Sequence, residues 1–167
     1  VSWTKEEILA RAADVRADTR RFFDRDGEVQ AVTFLFATID PNGEPGKHFV
    51  LVPPTPGMLR SEQGKDAYAD ALELVASRLE ARAVLSIIEV WWVELEEGAP
   101  LPAKLTPPSE DPRRIERVLV TLETHDGTTV WVADIKREGD KATLLEWQEH
   151  KPTQYHGRFA RLLAPVN

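Results

Sequence analysis

The chain contains no cysteine. That single absence excludes disulfide frameworks, thiolate-ligated zinc, iron–sulfur clusters and thiol catalysis. No apolar run approaches the roughly 20 residues a helix needs to cross a bilayer. The opening residues, Val1 to Glu7, lack the apolar core of a secretory signal. A cytoplasmic protein that does not engage membranes is the expectation. Excess positive charge is also missing: 21 Lys and Arg face 28 Asp and Glu, for a net charge of −7. A nucleic-acid partner held by a broad basic surface is therefore not expected. The acids are interspersed with Arg and Lys, a common solubility pattern, and do not form the rows of a DNA mimic.

Catalytic and metal-binding motifs are equally scarce. Ser2, Ser61, Ser77, Ser86 and Ser109 have no Gly-x-Ser-x-Gly setting, and Gly46-Lys47 lacks the glycine pattern of a phosphate loop. Asp40 to Gly43 resembles the opening of a calcium loop but has no glutamate at the twelfth position. His150 and His156 stand six apart across Pro152, whereas a helical metal pair wants a spacing of four. His48 opens a short strand, and His125 falls at a hairpin tip. No catalytic residue, metal site or cofactor follows from these patterns.

What is present is an alternation of helix and strand signals. The 167 residues suit one domain over 1–150, followed by a tail over 151–167. The tail carries Lys151, Arg158 and Arg161 without an acid, plus Phe159, Leu162 and Leu163. It is expected to dock on the domain or on a partner. Thr4 and Glu7 form a capping box, and Ile8, Ala12, Val15, Thr19 and Phe22 recur behind it at helical spacing, flanked by Leu9 and Phe23. Gly27 marks the stop. Residues 28–39 read as a central strand, and the turn formers of 40–46 lead into a second strand over 47–52. Tyr68, Ala71, Leu72, Val75 and Leu79 give a second helix over 65–82. Strands follow over 83–95, 113–124, 128–136 and 142–149, the middle pair joined at Asp126-Gly127. The order α-β-β-α-β-β-β-β predicts an α+β fold: a mostly antiparallel sheet of five or six strands with both helices on one face.

The strand over 83–95 is the most informative. Adjacent strand residues point to opposite faces, so Trp91 and Trp92 cannot share one. Leu85, Ile87, Glu89, Trp91 and Val93 lie on one side; Val84, Ser86, Ile88, Val90 and Trp92 lie on the other. A strand apolar on both sides needs cover on both sides. Glu89 amid Ile87, Ile88, Val90 and Trp91 is either a desolvated acid with a raised pKa or a partner in an ion pair. Asp134, between Ala133 and Ile135, poses the same alternative.

Residues 98–112 hold five of the twelve prolines, so an extended, stiff loop is expected there. Pro108-Ser-Glu-Asp-Pro-Arg-Arg-Ile-Glu116 lies between the Trp-bearing strand and the Val-rich strand that begins at 113. This arrangement resembles a group of small bacterial and phage proteins with a Pro-Ser-Glu-x-Pro-x-Arg-x-Glu segment. That group has no assigned activity, so the resemblance carries no functional residues with it. Physically, Ser109 and Glu110 can form local turns, and Arg114 and Glu116 share a strand face and can pair. Loops positioned by a scaffold often carry binding.

The expected contact residues are therefore Trp91, Trp92, Glu89, Ser109, Glu110 and Arg114. A non-enzymatic binding module with a homodimeric or other protein partner is the leading expectation. The alternatives are a small-molecule enzyme with Glu89 as acid or base, and a phage accessory protein that binds a host factor.

Overall fold

In the computed structural model, residues 2–92, 112–151 and 162–163 are described. Helix α1 (Lys5–Asp26) opens on the expected capping box. The Thr4 hydroxyl accepts from the Glu7 N–H at 3.2 Å, and the Glu7 carboxylate accepts from the Thr4 N–H at 2.9 Å. Gly27 ends the helix in the left-handed region at φ 72°, a conformation that costs glycine little. Strands β1 (Val32–Ile39) and β2 (Pro45–Val52) form a hairpin around Asp40, whose carboxylate accepts from the Asn42 and Glu44 N–H groups. A short 3-10 turn (Met58–Arg60) precedes helix α2 (Glu62–Arg78). Strands β3 (Ala83–Trp92), β4 (Ile115–Thr124), β5 (Gly127–Glu138), β6 (Lys141–Leu144) and β7 (Gln148–His150) complete the order.

Among the described residues the six strand pairings are all antiparallel, in the order β2-β1-β3-β4-β5-β6, with β7 also on β5. The α+β reading and the element order hold, with the last expected strand divided in two. Ile135 pairs with Leu144 and Val132 pairs with Gln148, so three residues of one strand oppose two of β5, as in a bulge. Arg20 of α1 occupies this break, donating to the carbonyls of Leu144 and Leu145 at 2.5 and 2.7 Å.

The helices do not share a face. Ile8, Ala12, Val15 and Phe23 of α1 cluster with Phe36, Leu85, Ile87, Val118, Val120 and Trp131. Tyr68, Leu72, Ala76 and Leu79 of α2 cluster with Leu35, Ala37 and Val84, the alternate residues of β1 and β3. Since neighbours along a strand point to opposite sides, α1 and α2 lie on opposite faces. This corrects the expectation of helices on one face, and the reason lies in β1 and β3 themselves. Both are apolar on each side, so each side demands cover.

Helical phase also departs from the sequence reading. Phe23 is fully buried and Phe22 is 49% exposed, so the stripe turns onto Phe23 at the end of α1. In α2, Ala69 and Ala76 are buried and Ala71 is exposed. The helix begins three residues earlier than expected, because the Ser61 hydroxyl accepts from the Gly64 N–H at 2.9 Å and caps it.

Candidate functional site

The register of β3 determines what emerges at its far end. Trp91 lies opposite Glu116, and Trp92 lies opposite Ile115. Beyond the reach of either helix the two indoles stay 50% and 43% exposed. Parity puts Trp91 on the α1 face and Trp92 on the α2 face. Each ring has a guanidinium above it. Arg114 stands 5.5 Å from the Trp91 ring centre, and Arg117 stands 5.4 Å from that of Trp92. A cation on an indole face is worth about 0.5–1 kcal/mol where solvent reaches it. The arginines hold both rings in defined orientations while an edge of each remains in water.

Glu89 stands two residues before Trp91 on the same face. Its Oε1 accepts from the Val29 N–H at 2.7 Å, in the segment between α1 and β1. Burial raises the Glu89 pKa; the Val29 hydrogen bond and the charge of Arg137 oppose this, while Glu28 and Glu116 add to it. The carboxylate thus ties a backbone amide to the sheet. Glu116 is engaged by Arg137 at 2.6 Å. On the other face Arg117 pairs with Asp134 at 2.7 Å, so Asp134 is a member of an ion pair.

Of the six expected contact residues, Glu89, Trp91, Trp92 and Arg114 gather at one end of the sheet, with Trp92 on the reverse side. Ser109 and Glu110 lie outside the described residues, as do Val93 to Leu95 and His156. The sequence reading missed Arg117, whose place over Trp92 depends on the β3–β4 register. It also missed Val29, whose amide has no marker in the sequence. His48 Nε2 lies 3.1 Å from the Glu44 carbonyl. Among the described residues no group of three His, Asp or Glu is placed to hold a metal ion. No described helix is long and apolar enough to cross a membrane.

At the opposite end of the sheet, the first turn of α1 and the β4–β5 hairpin flank a half-open cleft of about 530 Å³. Trp3, Ile8 and Leu9 form its apolar wall, and Thr124 to Thr129 form the facing rim. On the α2 face, Leu162 is buried against the α2 cluster. The Glu123 carboxylate accepts from the Leu162 and Leu163 N–H groups at 3.0 and 3.3 Å. Burial raises the Glu123 pKa against these two bonds and the charge of His125.

No protein-family model matches the chain, and neither the curated proteins nor the solved structures contain a match to it.

Proposed function

We propose that this chain is a non-enzymatic binding module that meets a protein partner through the end of the sheet bearing Trp91 and Trp92. The observation that carries the reading is the pair of half-exposed indoles, each under an arginine, on a strand whose other residues are buried or half-buried. Tryptophan and arginine are the residue types that dominate binding hot spots, because they combine large apolar area with directed polar contacts. A ring already held by a guanidinium loses little further freedom when a partner covers it, which lowers the entropic cost of association.

Glu89 does not favour catalysis in this reading. Its one described hydrogen bond goes to a backbone amide, and acid–base chemistry usually needs a second titratable group with an opposed shift.

Replacing both rings, Trp91→Ala with Trp92→Ala, tests the proposal. Light scattering over a dilution series reads self-association, and cross-linking in lysate reads other partners. The expected result is a complex formed by the parent chain and lost in the double variant, whose melting temperature stays close to that of the parent. A parent chain that stays monomeric and yields the same cross-links as the double variant would sink the proposal.

A further inference from the structure

The cleft between α1 and the β4–β5 hairpin carries charge of the sign this chain has least of. Lys5, Arg82 and Lys151 line it, against Asp126 and Glu149. Counting Lys, Arg, Asp and Glu alone, the lining is therefore net +1 in a chain whose net charge is −7. Among the described residues, Lys5, Arg82 and Lys151 make no ion pair. Most other cations near α1 are engaged: Lys47 holds Glu7, Arg25 holds Asp26, and Arg20 holds two carbonyls. Three like charges from separate segments of the chain converge on one concavity.

One of the two acids also acts on a cation within the fold. Glu149 lies opposite Trp131 in the β5–β7 pairing, and the Arg16 guanidinium stacks 4.0 Å from the Trp131 ring centre. Burial lowers the Arg16 pKa, and the charge of Glu149 acts in the opposite direction. One nitrogen of that guanidinium is buried without a hydrogen-bond partner. The field of Glu149 is thus shared between Arg16 and the cations of the cleft.

The walls are fixed. The Trp3 indole N–H donates to the Ala37 carbonyl at 3.0 Å, and its ring meets Phe36 edge-on at 5.1 Å. The facing rim is held by the Thr124 hydroxyl, which donates to the Gly127 carbonyl and accepts from the Asp126 N–H. A volume of about 530 Å³ falls within the range of roughly 300–1,000 Å³ common for small-molecule sites.

We propose that this cleft binds a small dianion of the phosphate-monoester class, with Lys5, Arg82 and Lys151 around the anionic group and Trp3, Ile8 and Leu9 against an apolar body. A phosphate monoester carries about −1.5 to −2 charges at neutral pH and offers three acceptor oxygens, one for each of the three cations. A monocarboxylate offers two oxygens and a single charge. The site is independent of the tryptophan-bearing end: nine residues of extended chain from Arg82 to Trp91 span about 30 Å.

The test is NMR chemical-shift mapping with inorganic phosphate, adenosine monophosphate and citrate as probes, on the whole chain. Shifts confined to residues 3–9, 82, 124–129 and 149–151 are expected. Adenosine monophosphate should bind more tightly than inorganic phosphate, because only it brings an apolar body to the wall. Binding should weaken by about tenfold or more in the triple variant Lys5→Gln, Arg82→Gln, Lys151→Gln and stay unchanged in Trp91→Ala with Trp92→Ala. No shifts up to millimolar probe, shifts scattered over the surface, or equal binding in the triple variant would each overturn the proposal. Tighter binding of citrate than of both phosphates would overturn the assigned ligand class. If the triple variant does not fold, the location of the shifts on the parent chain decides alone.

Discussion

Glu89 holds a carboxylate at the half-covered rim of the sheet, where burial raises its pKa although the Val29 N–H and Arg137 work against the rise. A raised carboxyl pKa means that the folded state binds the proton more tightly than the unfolded chain does. The contribution of Glu89 to stability is thus most favourable below the ordinary glutamate range, and it declines as pH rises from there through the raised value. Glu89→Gln keeps an acceptor for Val29 and removes the charge. Urea titrations should find that variant equal to or slightly more stable than the parent near neutral pH, with a flatter pH dependence. Glu89→Ala orphans the Val29 amide and should cost about 1–2 kcal/mol. Equal losses in the two variants would contradict this account. Gly64 makes a second case at this scale. A Cβ there would collide with the Met58 carbonyl oxygen. Gly64→Ala should therefore destabilise by about 1–3 kcal/mol, although alanine is the better helix former by about 1 kcal/mol. The unusual setting of Glu89 was visible from its neighbours in sequence. The constraint on Gly64 was not, because the clashing atom belongs to the preceding 3-10 turn.

Among the elements, α1 shows how far periodicity reaches. Its capping box, its glycine stop and four of its five buried positions were legible, since each depends on residues within one or two turns. The last turn was not. Phe22 and Phe23 both suit an apolar stripe, and only the packed sheet selects Phe23. Denaturant unfolding should separate them: Phe23→Ala is expected to cost about 3–5 kcal/mol, because it empties a fully enclosed site. Phe22→Ala should stay within about 1 kcal/mol, since solvent already reaches that ring. A reversal of this order would mean that α1 sits in a different rotation. The strand expected over 142–149 illustrates another limit. Its division into β6 and β7 falls where Arg20 reaches across from α1 to the Leu144 and Leu145 carbonyls, a contact between residues far apart in the chain.

For the whole molecule the governing fact is a sheet covered from both sides. The α2 face also receives Leu162, which is 3% exposed and whose N–H is held by Glu123. Leu162→Ala should lower stability by about 2–3 kcal/mol in thermal or urea unfolding. A negligible effect would show that the α2 face does not depend on this contact. The same two-sided arrangement leaves the tip of β3 beyond both helices, and there the indoles emerge.

Composition and local pattern by themselves determined the fold class, the order of helices and strands, and the opposite orientation of Trp91 and Trp92. These properties depend on residue type and on periodicities of 2 and 3.6 residues, which act over short stretches. Tertiary structure alone decided that the helices take opposite faces, that Phe23 is buried in place of Phe22, that Arg117 stands over Trp92, and that Lys5, Arg82 and Lys151 meet at one cleft. Each of these depends on strand register and helix rotation, which are settled by packing between segments distant in sequence.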